Sequence, residues 1–304
     1  MTLDELTRQG IADRPLRVPA WTLGCFRRRS ITFYTGATDG HTHVLWLQSH
    51  GLTADLRLSP GRPALRGRET LDHCGDDELM ALAQVEGGLA ETAFDRAQMS
   101  WSNWTAFQLH DKWPEPALLH RVGDCLIEFA PSGAYVEDWR LQPSAPGPLI
   151  GLRLIEERDV ARQEVRHRGG GLVLCGEHAA LIRGRPAVLP AAERLEDLVR
   201  ANLTNRDVLR AIFAFETSYA VGNVVRHSTN PLREGKALLN LDGFSYDGAS
   251  GLVLQKTVEE GVAIERRFAV DTLRSNFKTE PETSASSEAQ DWLARERATL
   301  LAQS

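Results

Sequence analysis

Residues with chemical potential alternate along two short segments, 43–59 and 124–141. In the second segment Tyr135, Glu137 and Trp139 are spaced two apart, so on a β-strand their side chains share one face. A carboxyl group among large rings is partly desolvated, which raises its pKa unless a cation is near. Such a group suits general acid–base chemistry, or it holds the amine or hydroxyl of a ligand. Alternatively, Glu137 pairs with an arginine and only fixes the strand register.

The first segment poses a similar choice. Trp46 and Gln48 share a face of the first strand, and Asp55 and Arg57 share a face of the next. Arg57 could anchor a carboxylate or enolate oxygen, with Gln48 donating a hydrogen bond. The alternative is a structural ion pair between Asp55 and Arg57 at the rim of a barrel.

A third strand, predicted over 98–110, adds two tryptophans and a histidine. Trp101 and Trp104 are three apart, so the alternation predicts opposite faces, and we expect Trp101 to face inward. Gln108 and His110 share a face near the end of this strand. His110 could carry protons at the mouth of a cavity.

These residues need a β-rich frame, and the pattern supplies one. Short strand-like segments alternate with turns throughout, which is typical of an antiparallel barrel or sandwich. Helical spacing occurs after Asp76, where Gly87 and Gly88 would provide the stop, and over 190–203. A strand is predicted over 207–217, and the charged segment 156–168 is predicted to be exposed. The predicted class is therefore mainly β, with two short internal helices and a C-terminal helix.

Short motifs in residues 40–142 resemble a known group. They are W-L-Q at 46–48, A-D-L-R at 54–57, E-G-G-L-A at 86–90, a Trp-rich strand, and Y-V-E-D-W-R at 135–140. This series resembles the lipocalin-like (calycin) group that includes the fungal HRI-type proteins and bacterial relatives of unassigned function. The resemblance implies one lipocalin-like barrel or two fused barrels, and it implies no catalytic residues.

The composition divides the chain and excludes several functions. We expect a first barrel portion over 1–145, a second β-rich portion over 146–277 that is either a separate barrel or completes the first, and a linker with an amphipathic helix over 278–304. The net charge of -6 argues against nucleic-acid binding, and no apolar run is long enough to span a membrane. No dinucleotide-binding, phosphate-binding or metalloprotease motif is present.

Neither a cofactor nor a metal is expected. His41 and His43 form an HxH pair, but no further ligand is predictable from the sequence. The four cysteines lie far apart and no secretion signal precedes them, so thiols and a cytoplasmic location are expected. Open strand edges at a barrel seam would allow a homodimer.

Three hypotheses for function remain open. The first is a barrel that binds a small aromatic or apolar molecule through Trp46, Gln48, Asp55, Trp101, Gln108, Tyr135 and Trp139. The second is a cofactor-free hydro-lyase, isomerase or cyclase with candidate catalytic residues Glu137, Glu128, His110 and Arg57. In that case Glu137 or Glu128 is the base, and Arg57 and His110 stabilise negative charge. The third is an interaction protein whose barrels are filled by side chains.

Overall fold

The first half of the chain forms a closed antiparallel barrel. The computed structural model describes residues 1–65, 67–110 and 115–301. Eight strands close the barrel because β1 pairs with both β3 and β9, and the short β2 adds to the edge of β1. The strands are β1 (Gly24–Phe33), β2 (Thr38–Asp39), β3 (His43–Gln48), β4 (Leu52–Leu58), β5 (Glu86–Asp95), β6 (Gln98–Ala106), β7 (Ala117–Val122), β8 (Cys125–Phe129) and β9 (Tyr135–Leu141).

A second antiparallel sheet follows in sequence. Its strands run in the order β15-β14-β13-β12-β10-β18-β17-β16, and β11 pairs with the far end of β10. They are β10 (Gly147–Asp159), β11 (Glu164–Arg168), β12 (Gly170–Cys175), β13 (His178–Arg183), β14 (Glu216–Val221), β15 (Val224–Ser228), β16 (Phe244–Asp247), β17 (Leu252–Glu259) and β18 (Val262–Phe277). The protein is thus mainly β, with one closed barrel and a second sheet.

The helices differ from the sequence prediction. Those that the structure describes are α1 (Leu3–Thr7), α2 (Asp76–Leu82), α3 (Leu195–Ala201), α4 (Arg206–Ile212) and α5 (Ser287–Leu301). The prediction of two internal helices is wrong, because α4 occupies the start of the strand predicted over 207–217. Asn205 caps this helix by accepting a hydrogen bond from the Val208 amide, and Leu209 and Ile212 bury one helical face.

Two further predictions need correction. α2 ends at Leu82, and Gly87 and Gly88 lie in β5 rather than stopping a helix. A Cβ on Gly88 would approach the Thr105 carbonyl oxygen to 2.5 Å, so the glycine permits close strand pairing. The prediction that the charged segment 156–168 is exposed is wrong for its first residues, since β10 continues to Asp159 and Glu157 is fully buried.

Two apolar clusters hold the sheets. The larger joins the interior of the barrel to one face of the second sheet and takes in α2, α3 and α4. The smaller lies inside the second sheet, where Leu3 and Leu6 of α1 pack with Phe244 and Phe268. The N-terminal helix therefore packs with the second sheet, although the sequence assigned it to the first barrel portion.

The C-terminal helix presents its apolar residues to solvent. No residue of α5 is buried, and Trp292, Leu293 and Leu300 are each about half exposed. Residues 302–304 of the predicted terminal helix lie outside the described residues.

Candidate functional site: a polar and aromatic cavity in the first barrel

The first barrel encloses a cavity of about 640 Å³. Most of the residues that the sequence singled out line it. They are Trp46, Asp55, Arg57, Trp101, His110, Glu128, Tyr135, Glu137 and Trp139. The alternation of strands β3, β4, β8 and β9 brings seven of these side chains to the inner face of the barrel, whereas Trp101 comes from β6 and His110 follows that strand.

The two predicted glutamines do not line this cavity. Gln48 is fully buried and supports the wall: its Oε1 accepts hydrogen bonds from Trp46 Nε1 (3.2 Å) and Thr53 Oγ1 (2.5 Å). Gln108 turns away, and its Nε2 donates to the carbonyl oxygens of Ala83 and Val85 at 2.7 and 2.6 Å. Gln48 therefore acts by positioning Trp46, whereas Gln108 ties the segment after β6 to the segment after α2.

Tryptophan rings form part of the lining of the cavity. The Trp46 ring stacks on Phe26 with 5.0 Å between centroids and meets Trp139 edge-on at 5.7 Å. The indole N–H groups of Trp46, Trp101 and Trp139 donate to Gln48, Thr53 and Glu128. These hydrogen bonds fix the orientation of the rings, and the ring surfaces that line the cavity remain available for contact with a ligand.

Glu128 is the central acid of the cavity. It is 5 % exposed, and strand pairing sets it directly opposite Glu137. Its Oε1 accepts from the Tyr135 hydroxyl and its Oε2 from Trp139 Nε1, both at 3.1 Å. Burial, reinforced by the negative charge of Glu137, raises the pKa of Glu128 to about 8. Glu128 is therefore mostly a neutral acid at pH 7.

Glu137 is instead held by an arginine from the strand that closes the barrel. Arg28 Nη1 lies 2.6 Å from Glu137 Oε1, and Arg28 Nη2 lies 3.0 Å from Asp39 Oδ2. Both Arg28 and Glu137 are buried. Although partial burial opposes it, hydrogen bonds from His41 and Thr42 lower the pKa of Asp39 to about 2, and Arg28 adds to this effect. Two carboxylates thus share one guanidinium.

Asp55 and Arg57 form the ion pair that their spacing suggested. Arg57 donates from Nε to both carboxylate oxygens of Asp55, at 3.0 and 3.2 Å, and from Nη2 to Oδ2 at 3.1 Å. Arg57 also lines the cavity, where its charge partly offsets the raised pKa of Glu128.

The mouth of the cavity is marked by more exposed groups. Phe33 is 42 % exposed, and His110 is also exposed. The Nε2 atom of His110 lies 3.9 Å from Glu86 Oε1, which also lines the cavity. The position of His110 near solvent fits the role of a rim residue.

Several lining residues were not found from the sequence: Arg28, Asp39, Glu86, Trp104 and Glu115. The prediction that Trp101 and Trp104 face opposite sides is wrong, because both line the cavity. A register shift between Leu89 and Glu91 interrupts the β5–β6 pairing, and Asn103 opposite it takes a left-handed φ of 52°. This bulge restores Trp104 to the inner face.

A second bulge is the reason why strand alternation in the sequence did not predict that Arg28 faces the cavity. The register of β1 against β9 shifts between Arg28 and Ser30, so the inner face comprises Phe26, Arg28, Ile31 and Phe33 rather than strictly alternate residues. The run of three arginines at 27–29 gave no signal of which one turns inward. Only the pairing of β1 with β9, more than 100 residues apart, places Arg28 on Glu137.

The carboxyl groups and the Tyr135 hydroxyl that line the cavity can form hydrogen bonds with a ligand and exchange protons. Across residues 1–65, 67–110 and 115–301 we find no group of three or more His, Cys, Asp or Glu placed to hold a metal ion. In the same ranges, no helix has both the length and the apolar character to cross a membrane. No protein-family model, curated protein or solved structure matches the chain.

Proposed function

We propose that the first barrel binds a small molecule with an aromatic or apolar body in the cavity around Trp46, Trp101 and Trp139. One observation carries this proposal: a barrel that could have been filled by side chains instead holds about 640 Å³ of space between fixed indole rings. That volume lies within the range of roughly 300–1,000 Å³ that is usual for small-molecule sites. An interaction protein with filled barrels is less well supported for the same reason.

We further propose that the chain is related to the lipocalin-like group. The closed eight-stranded antiparallel barrel supports this relationship, and the second sheet would then derive from a second barrel that stays open at β15 and β16. The four unpaired cysteines support a cytoplasmic location.

The binding proposal is tested with N-phenyl-1-naphthylamine, a neutral aromatic dye that fluoresces in apolar surroundings. We expect saturable binding of one dye per chain. Trp101→Ala should weaken binding at least about fivefold, because about 1 kcal/mol of ring contact is lost. Trp292→Ala, which removes an exposed ring of α5, is the matched control and should bind as the wild type does. Absence of saturable binding, or equal weakening in both variants, would contradict the proposal.

Glu128 supports a second candidate, acid–base catalysis without a cofactor. A carboxylic acid with a pKa of about 8 beside a cavity is poised to give up or accept a proton near neutral pH. Isomerisation or dehydration of a bound substrate would then depend on Glu128, with Arg57 stabilising negative charge. An enzyme of this kind would lose turnover in Glu128→Gln while still binding the dye, whereas a pure binding protein would show no turnover with any substrate.

A further inference from the structure

The two carboxyl oxygens of Glu128 have partners of different kinds. Oε2 lies 3.1 Å from Trp139 Nε1, and an indole N–H can only donate a hydrogen bond. Oε1 lies 3.1 Å from the Tyr135 hydroxyl, and a phenol can either donate or accept. When Glu128 carries a proton, Trp139 cannot accept it but Tyr135 can. The proton of the neutral acid therefore belongs on Oε1, from which it is donated to the phenolic oxygen.

Glu128 is the protonated member of a pair of facing acids. Strand pairing sets it opposite Glu137, and Arg28 holds Glu137 at 2.6 Å. The charged and titratable groups around Glu128 are Glu137 and Tyr135 from β9, Arg57 and Asp55 from β4, and Arg28 from β1 behind Glu137. Burial and the charge of Glu137 raise the pKa of Glu128 to about 8, although Arg57 opposes this shift. The acid therefore keeps its proton at neutral pH.

The direction of the hydrogen bond between Glu128 and Tyr135 decides where the hydroxyl hydrogen of Tyr135 points. If Glu128 is ionised, the phenol donates to it; if Glu128 is protonated, the phenol accepts and its own hydrogen turns away from Oε1. Within the ranges that the structure describes, Glu128 is the one hydrogen-bonding partner of the Tyr135 hydroxyl. Tyr135 is half-buried and lines the cavity. At neutral pH its hydroxyl hydrogen can therefore bond an acceptor in the cavity.

The tryptophans of the lining offer ring surface rather than polar groups to a ligand. Three of them donate their indole N–H groups to protein acceptors: Trp46 to Gln48, Trp101 to Thr53 and Trp139 to Glu128. Tyr135 differs from these three, because its hydroxyl hydrogen is released whenever Glu128 is protonated. A few precisely placed polar groups in an apolar pocket orient a ligand and select it. In this pocket the phenol is the donor that would select an oxygen atom of the ligand.

The surroundings of Glu128 also decide the charge of that oxygen. Burial and Glu137 disfavour a negative charge at Glu128 Oε1. A ligand oxygen bonded to the Tyr135 hydroxyl would lie within about 6 Å of Oε1, in the same surroundings, so a neutral acceptor costs less to bind than an anionic one. A carbonyl oxygen meets both conditions, because it accepts a hydrogen bond and carries no formal charge.

We propose that the first-barrel cavity selects a neutral ligand with a carbonyl oxygen, and that Tyr135 donates a hydrogen bond to this oxygen while Glu128 donates its own proton to the phenolic oxygen. This inference rests on the proposed binding function and adds the group by which the ligand is recognised. No covalent bond changes. Loss of the Glu128 proton to solvent reverses the hydrogen bond between Glu128 and Tyr135 and removes the donor from the ligand.

The test uses two neutral probes of matched shape, 2-acetylnaphthalene and 2-isopropenylnaphthalene. The second has a CH2 group in place of the carbonyl oxygen, so it fills the same space without an acceptor. Displacement of N-phenyl-1-naphthylamine measures the association constant of each probe. The ratio of the two constants, ketone over alkene, cancels the contacts of the naphthalene body. Because neither probe carries a charge at any pH, any pH dependence of this ratio comes from the protein.

Removal of the phenolic hydroxyl should lower the ketone-over-alkene ratio. In Tyr135→Phe at pH 6.5 we expect the ratio to fall about fivefold, the effect of one neutral hydrogen bond, while the association constant of the alkene changes less than about twofold. Tyr246→Phe, at a partly exposed tyrosine of β16, is the matched control and should give the wild-type ratio. Binding of the dye and of the alkene verifies that Tyr135→Phe folds.

The proton on Glu128 should control the same ratio. In the wild type we expect it to fall about fivefold between pH 6.5 and 9.5, because ionised Glu128 accepts the hydrogen bond that Tyr135 otherwise donates to the ketone. Glu128→Gln imitates the protonated acid: its amide oxygen accepts from Trp139, and its amide N–H donates to the phenol. This variant should therefore keep the high ratio at both pH values. Glu164→Gln, at an exposed glutamate of the second sheet, should follow the wild-type pH dependence.

The outcomes separate this inference from the proposed binding function. If the dye and the alkene bind but Tyr135→Phe keeps the wild-type ratio, the assignment of the carbonyl group to Tyr135 is wrong and the binding function stands. If the ratio falls in Tyr135→Phe but does not depend on pH, or if it falls in Glu128→Gln at pH 6.5, Glu128 does not set the hydrogen bond. If neither the dye nor either probe binds, the binding function itself is wrong.

Discussion

Both sheets bury acids and arginines, yet they treat the acids in opposite ways. In the first barrel, burial and Glu137 raise the pKa of Glu128 to about 8, so this acid stays neutral near pH 7. In the second sheet, Glu216 is also buried, but Arg183 and Arg233 outweigh the effect of burial and lower its pKa to about 2. A buried glutamate is therefore protonated near neutral pH in the first barrel and ionised in the second sheet.

The difference lies in how many cations accompany each acid. In the second sheet Arg183 and Arg233 both contact Glu216, and Arg266 lies between Glu157 and Glu259 at 2.7 and 2.6 Å. The pKa values of Glu157 and Glu259 are also lowered, because these arginines offset their burial. This network borders a cavity of about 810 Å³, and each of its three acids contacts at least one of the three arginines. We assign the ligand to the first barrel because indole rings line its cavity.

The largest effect is expected from breaking the balanced network. Arg266→Met removes a fully buried guanidinium and leaves Glu157 and Glu259 without their main partner. Loss of one member of a buried ion pair costs about 3–5 kcal/mol, which urea unfolding would measure. Arg267→Met is the control, because Arg267, the neighbour of Arg266 on β18, is 44 % exposed and its loss should change stability by less than about 0.5 kcal/mol. Equal effects of the two variants would mean that the network does not stabilise the second sheet.

The second-largest effect is the pH dependence of stability, which should have opposite signs at Glu128 in the first barrel and at Glu216 in the second sheet. Since the pKa of Glu128 is raised on folding, its favourable contribution is complete below about pH 4.5 and is lost as pH rises through about 8. Relative to Glu128→Gln, the wild type should therefore lose stability over this interval. We expect roughly 2–3 kcal/mol, less than the full shift would give, because relaxation and water penetration generally reduce the cost of a buried charge.

Glu216 should show the reverse behaviour. Its lowered pKa means that its contribution is present above about pH 4.5 and is lost as pH falls through about 2. Relative to Glu216→Gln, the wild type should lose stability on the acid side only. Urea unfolding of both variants across the pH range checks the pair, and parallel curves for Glu128→Gln and the wild type would refute the raised pKa.

Regular alternation explains how much of the site was predictable. In the hairpin of β8 and β9, Tyr135, Glu137 and Trp139 follow a strict two-residue period, and Gly133 supplies the left-handed turn. No bulge interrupts this pairing, so the sequence alone placed these side chains on one face. The closed barrel, by contrast, rests on β1 meeting β9, a pairing of distant segments that local periodicity does not encode.

Bulges and long-range contacts explain what was missed. The bulge in β1 turns Arg28 inward, and the bulge near Asn103 turns Trp104 inward, so a period of two gave the wrong face or no signal. Leu3 and Leu6 of α1 looked like part of the first portion by position, but the second sheet offers the apolar surface that buries them. The charged residues around Glu157 predicted exposure, but Glu157 is buried because Arg266, over 100 residues later in the chain, pairs with it.

The smallest effect concerns the hydroxyl that touches Glu128. Tyr135 donates to Glu128 Oε1, and this hydrogen bond favours the ionised acid. Hydrogen bonds to charged groups exceed those to neutral ones by about 1 kcal/mol, so Tyr135→Phe should raise the pKa of Glu128 further, by less than about one unit. The infrared carbonyl band of the protonated acid, followed against pH and assigned by its absence in Glu128→Gln, measures this shift. Tyr246→Phe, at a partly exposed tyrosine of β16, should leave the band unchanged. A fall in the pKa of Glu128 would show that the phenol does not donate to it. If the wild-type band titrates near pH 4.5, the pKa of Glu128 is not raised, and the contrast between Glu128 and Glu216 is wrong.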